Sequence, residues 1–101
     1  MKEDMVELKK WINYLEVLIE EAYTQTFALT EHNYVRLSKI EVDNDMAENL
    51  SDCPYITLEI VFSYLGLAKK CVVPYRTNEN RDFNLGYIAH AIEKASEEDD
   101  E

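Results

Sequence analysis

The chain has 101 residues, of which 21 are acidic and 10 are basic, so its formal net charge at neutral pH is -11. This length fits one domain with a modest core. The negative charge argues against direct binding to nucleic acid or to an anionic membrane surface, since both require compensating positive charge. No apolar run reaches the roughly 20 residues that cross a bilayer, and the first residues do not resemble a secretory signal. We therefore expect a cytoplasmic protein with reduced cysteines.

Apolar residues recur at three- and four-residue steps over residues 3–25, which predicts a long amphipathic helix. The stripe consists of Leu8, Trp11, Ile12, Leu15, Leu18, Ile19 and Ala22.

Residues 34–42 predict a first strand whose apolar residues change phase midway. Val35 and Leu37 share one face, whereas Ile40 and Val42 share the other. This pattern indicates either a strand covered on both faces or a bulge near Ser38.

Residues 55–65 alternate regularly and predict a second strand, with Ile56, Leu58, Ile60, Phe62 and Tyr64 on one face. Gly66 favours a hairpin turn into a third strand over residues 70–76. Pro74 cannot donate a hydrogen bond, so this third strand should lie at an edge of the sheet.

A second helix is predicted to start at Asn84, as its N-cap, and to run through Ala95. We expect one domain over residues 1–96 and an acidic disordered tail over residues 97–101. The predicted fold class is α+β, a two-layer sandwich in the order α-β-β-β-α. Its three-stranded antiparallel sheet would carry both helices on one face.

The residues that could support catalysis or cofactor binding are few. A pair of Cys71 and His90 is conceivable, but Cys71 falls on the apolar side of its strand, where thiols are usually inert. Asp43-Asn44-Asp45 begins like a calcium loop, but Glu48 and Pro54 occupy positions that the motif reserves for glycine and glutamate. We expect neither an enzyme nor a metal or cofactor site.

The distribution of acidic residues is the more informative feature. Asp43, Asp45, Glu48 and Asp52 lie in one predicted loop, and Glu16 and Glu20 lie one turn apart on the first helix. These six residues are the predicted partner-binding site. They form either an ordinary solvated surface or an imitation of duplex DNA, which carries one charge per ~1.7 Å along its axis.

In size, acidic loop, element order and acidic end, the chain resembles small phage-type DNA mimics of the anti-CRISPR and anti-restriction class. The resemblance covers the whole chain at the level of charge and element order. It implies an inhibitor that blocks the basic DNA- or RNA-binding surface of a partner such as a CRISPR or restriction nuclease. The element order is also similar to the double-stranded RNA-binding domain, but Phe83–Tyr87 lacks the lysines with which that domain spans a phosphate groove.

The alternative is an immunity protein or secretion chaperone that binds a basic toxin or effector. An apolar patch on the outer sheet face around Tyr55, Val61 and Leu65 would favour a chaperone or a homodimer. Exposed tyrosines would favour any protein interface. Tyr14 and Tyr23 lie on the flanks of the first predicted helix, and Tyr34, Tyr55 and Tyr87 are plausible surface positions.

Overall fold

The computed structural model describes residues 5–28, 30, 32–42 and 53–98, with side chains from Lys9 onward. Two helices and three strands follow one another as α1 (Met5–Thr24), β1 (Val35–Val42), β2 (Tyr55–Tyr64), β3 (Leu67–Arg76) and α2 (Arg81–Glu97). The predicted α+β order is confirmed. None of the described helices combines the length and apolar character needed to span a membrane.

The three strands form one antiparallel sheet in the order β1-β2-β3. The third strand lies at an edge, as Pro74 predicted. In β1 the pairing with β2 shifts register between Leu37 and Lys39, so the bulge near Ser38 is confirmed. Because the bulge reverses the phase of the strand, Val35, Leu37, Ile40 and Val42 all pack against the same core.

Both helices cover one face of this sheet, and the core lies between the two layers. The central strand contributes fully buried Ile56, Leu58, Ile60 and Phe62, as its alternation predicted. The buried stripes of the two helices close the core from above: Leu15, Leu18, Ile19, Ala22 and Tyr23 from α1, and Leu85, Ile88, Ile92 and Ala95 from α2.

The predicted N-cap of α2 at Asn84 is wrong. The helix begins three residues earlier, at Arg81, and the side chain of Asn80 caps it by accepting a hydrogen bond from the Phe83 N–H at 2.8 Å. Asn84 is instead buried, where its side-chain amide bonds to both backbone groups of Arg76. Asparagine is a favoured N-cap residue, so residue type does not distinguish Asn80 from Asn84. The position of β3 distinguishes them, because it brings Arg76 against Asn84.

The C-terminal end of α2 also differs from the prediction. The helix continues two residues beyond Ala95, and Glu97 belongs to it. The carbonyl of Glu98 accepts a hydrogen bond from Lys69 Nζ at 2.8 Å, which ties this end to β3. Glu97 and Glu98 are therefore not part of a disordered tail, and residues 99–101 lie outside the described residues.

A two-residue turn at Leu65 and Gly66 joins β2 to β3, and both residues have positive φ, 52° and 79°. Such turns favour Asn-Gly because leucine is strained in the left-handed region. Leu65 is also 81% exposed, so its side chain gains little from packing. We expect Leu65→Asn to raise the free energy of unfolding by about 0.5–1 kcal/mol, measurable by urea denaturation. A loss of stability would mean that the leucine side chain makes contacts that outweigh the backbone strain.

Candidate functional site

Two of the six predicted site residues, Glu16 and Glu20, lie exposed on α1. Glu21, on the other flank of the helix, forms an ion pair with Arg81 at the start of α2. Since each helical residue turns by about 100°, Glu16 and Glu20 lie on the flank away from α2, which we call the acidic flank. Neither carboxylate forms an ion pair with another described residue.

The other four predicted residues, Asp43, Asp45, Glu48 and Asp52, lie outside the described residues. They belong to residues 43–52, which we call the acidic segment. The residues on both sides of it are held at one end of the sheet. Val42 pairs with Ile56, and the carbonyl of Cys53 accepts a hydrogen bond from Thr77 Oγ1 at 2.6 Å.

The N-terminal half of α1 lies over the same end of the sheet. Tyr75 pairs with Ile56 in the neighbouring strand, and its hydroxyl donates to that of Tyr14 at 3.1 Å. Trp11 packs edge-on against both tyrosines, with ring centroids 6.0 Å apart in each case. The acidic segment therefore leaves and rejoins the sheet at the end where α1 carries Glu16.

Because Glu21 pairs with Arg81, the Glu21 carboxylate of α1 is not available to the predicted partner-binding site. The Arg81 guanidinium donates hydrogen bonds to both carboxylate oxygens of Glu21. These bonds hold the pKa of the Glu21 carboxyl below its ordinary value. Glu21 is thus already matched with a cation, unlike Glu16 and Glu20.

Negative charge is distributed unevenly along the chain. The acidic segment carries Asp43, Asp45, Glu48 and Asp52 and no basic residue, and residues 97–101 are all acidic. Residues 53–82 instead carry four basic and three acidic residues. Most of the excess therefore belongs to the acidic segment and the C-terminal end of the chain.

The outer face of the sheet, opposite the helices, is more basic than acidic. It carries Arg36, Lys39 and Glu41 from β1, Glu59 from β2, and Lys70 and Arg76 from β3. Lys39 lies 3.6 Å from Glu41 and Lys70 lies 3.9 Å from Glu59. Residues 60–82 contain four basic and two acidic residues, but only the sheet places Lys70 and Arg76 on the same face as the basic residues of β1.

The outer face also carries apolar residues, among them Tyr55, Val61, Val72 and Pro74. Val61, in the central strand, is flanked by Arg36 on one side and Lys70 on the other. Tyr55 lies beside Arg76, whose guanidinium also lies over the rings of Phe83 and Tyr87 at 5.5–5.8 Å from all three centroids. Val72 pairs with Glu59, next to the pair of Val61 and Lys70, so Val61 and Val72 are diagonal neighbours on this face.

Four of these five tyrosines are exposed: Tyr14, Tyr34, Tyr55 and Tyr87. Tyr23, which the sequence places on a flank of the first helix, is only 1% exposed and so offers no surface for an interface. Its hydroxyl donates to the carbonyl of Ser63 at 2.9 Å, and its ring packs against Phe27 and Phe62. A tyrosine that buries its ring in a core needs such a partner for its hydroxyl.

Cys71 and His90 occupy different parts of the surface. Cys71 is half-buried beside Lys70 and Ala91, in a hollow that Lys94 and Glu98 also line. Burial raises the pKa of its thiol to about 11, so the thiol stays protonated at neutral pH. His90 lines a separate hollow with Phe83 and Tyr87. Among the residues that the structure describes, no three side chains of metal-ligating type are grouped together.

Comparisons of the chain with protein-family models, with curated proteins and with solved structures find no significant match.

Proposed function

We propose that the protein binds a basic nucleic-acid-binding protein, such as a nuclease, and covers the surface with which that partner holds DNA or RNA. The contact would be made by the acidic segment, through Asp43, Asp45, Glu48 and Asp52, together with the acidic flank of Glu16 and Glu20. The observation that carries this proposal is the uneven distribution of charge: the outer sheet face carries four basic and two acidic side chains, whereas the ten residues of the acidic segment carry four carboxylates and no basic residue.

The unpaired state of Glu16 and Glu20 supports the proposal. Carboxylates one helical turn apart repel each other and destabilise the free protein. Binding to a basic partner would relieve this repulsion between Glu16 and Glu20. Glu21 differs, because its charge is already compensated by Arg81 within the chain.

The basic outer sheet face supports a defined orientation. A positively charged partner would repel Arg36, Lys70 and Arg76 and attract the opposite side of the molecule. Complementary fields of this kind accelerate association and make it sensitive to salt. The partner would therefore meet the protein from the side of α1 and the acidic segment.

The test begins with the partner that a tagged full-length chain captures from its native host, purified and bound to its own DNA or RNA. We expect the protein to exclude that nucleic acid from the partner. We also expect the combined D43N, D45N, E48Q and D52N variant to bind the partner at least about tenfold more weakly and with a smaller salt dependence, because it lacks four charges of the interface. The E16Q, E20Q variant should show a smaller loss of the same kind.

Glu79→Gln with Glu93→Gln is the matched control, because it removes exposed carboxylates outside the proposed contact. It should leave affinity unchanged. Full affinity of the four-residue variant, with an unchanged circular dichroism spectrum, would remove the acidic segment from the contact. A stable ternary complex with partner and nucleic acid would contradict mimicry and favour the immunity-protein or chaperone alternative.

A further inference from the structure

Among the described residues, β1 is an outer strand of the sheet with one unpaired edge. β1 pairs with β2 on one side, and no other described strand pairs with its second side. An eight-residue edge of this kind presents a row of donors and acceptors to another strand. The opposite edge of the sheet, on β3, contains Pro74 and so lacks one donor.

The ladder determines which backbone groups of β1 point outward. The Tyr34 carbonyl accepts a hydrogen bond from the Ser63 N–H at 2.9 Å, so the backbone groups of Tyr34 and Arg36 point toward β2. Since successive residues alternate, the backbone N–H and C=O groups of Val35 and Leu37 point to the free edge. Beyond the bulge, Ile40 and Val42 pair with Leu58 and Ile56, which keep the alternation of β2. These two residues are therefore also directed to the free edge.

The sequence of β1 is an approximate palindrome about the bulge. In VRLSKIEV, Val35 mirrors Val42, Arg36 mirrors Glu41, and Leu37 mirrors Ile40. If a second copy of the strand ran antiparallel in this register, each apolar residue would lie opposite another apolar residue. The Arg36 of each copy would lie opposite the Glu41 of the other copy, which gives two such contacts.

The bulge is what makes this register possible. In a regular strand, residues an odd number of positions apart point to opposite faces, so Val35 could not match Val42. Here Val35, Leu37, Ile40 and Val42 all face the same core. Their outward-directed backbone groups would therefore meet as hydrogen-bonded pairs, with core faces and outer faces aligned across the junction.

We propose that the protein forms a two-fold symmetric homodimer in which the β1 strands of two copies pair antiparallel, Leu37 opposite Ile40 and Arg36 opposite Glu41. The two sheets become one six-stranded sheet with all four helices on the same face. A two-fold interface of this kind uses the same surface on both copies. Glu16 and Glu20 lie on the flank of α1 away from α2, and their like charges oppose close approach, so we expect a dimer that dissociates on dilution.

Charge reversal at the paired positions tests the register. Arg36 and Glu41 are both exposed and lie on the same outer face of one strand, five residues apart. In the dimer, R36E places glutamate opposite Glu41, and E41R places arginine opposite Arg36, each twice. We expect each single variant to weaken dimerisation at least about tenfold, measured by sedimentation velocity across a concentration series. The double variant R36E, E41R restores the opposite charges and should recover the dimer.

Lys70→Glu is the matched control, because it makes the same change of charge on the outer face but in β3. It should leave the dimer intact, and circular dichroism should show that every variant folds. A wild-type chain that remains monomeric at all concentrations would overturn the proposal. The proposed register would be wrong if the dimer tolerated both single charge reversals. It would also be wrong if the double variant did not recover the dimer.

Discussion

Asn84→Ala is expected to lower the free energy of unfolding by about 2–5 kcal/mol. Asn84 is 1% exposed. Its Oδ1 accepts from the Arg76 N–H at 2.8 Å, and its Nδ2 donates to the Arg76 carbonyl at 2.9 Å. Removing the amide leaves both backbone groups without these partners at the junction of β3 and α2. Chemical denaturation followed by far-UV circular dichroism measures the change.

Asn80→Ala is the control, because it removes only the cap of the same helix and should lower the free energy of unfolding by about 1 kcal/mol. Asn84→Asp should cost at least as much as Asn84→Ala, since a buried carboxylate oxygen would replace the amide that donates to the carbonyls of Arg76 and Asn80. Equal losses for Asn80→Ala and Asn84→Ala would show that the Arg76 contacts contribute nothing beyond helix capping.

Phe62→Ala is expected to lower the free energy of unfolding by about 3–5 kcal/mol, because it removes a large buried side chain and leaves a cavity. Phe62 is fully buried. Its ring centroid lies 6.1 Å from that of Tyr23 and 6.5 Å from that of Phe27, where the end of α1 meets β2. Since small domains have a total stability of only about 5–15 kcal/mol, the variant should be partly unfolded in mild denaturant.

Phe83→Ala serves as the comparison, since Phe83 is half-buried on α2 and lies beside Arg76 and Tyr87. It should cost less than half as much. A loss as large as that of Phe62→Ala would place more of the stability in the aromatic contacts around Arg76 than in the core beneath α1.

The elements of the fold could be predicted from the sequence because burial repeats along each one. The stripe of α1 from Leu15 to Ala22 and the alternation of β2 from Ile56 to Phe62 correspond to residues that are buried. Positions where contact partners lie far away in the chain could not be predicted. Asn80 and Asn84 suit a cap equally well, and the hydroxyl of Tyr23 finds its partner, Ser63, forty residues away.

The candidate site was predictable only in part. The net charge and the position of its carboxylates follow from residue order alone. That Glu21 is neutralised by Arg81, whereas Glu16 and Glu20 face away from α2, depends on how the two helices pack. The basic outer sheet face likewise needs three strands in register before residues of β1 and β3 become neighbours.

By itself the sequence determined the order of helices and strands, the inward side of α1 and β2, and the overall excess of negative charge, since these depend on residue type and local period. Whether the phase change in β1 reflects a strand covered on both faces or a bulge depends on the tertiary structure. The bulge exists because pairing with β2 brings Val35, Leu37, Ile40 and Val42 onto one core. Burial of those four side chains depends on a partner strand that the residues of β1 do not specify.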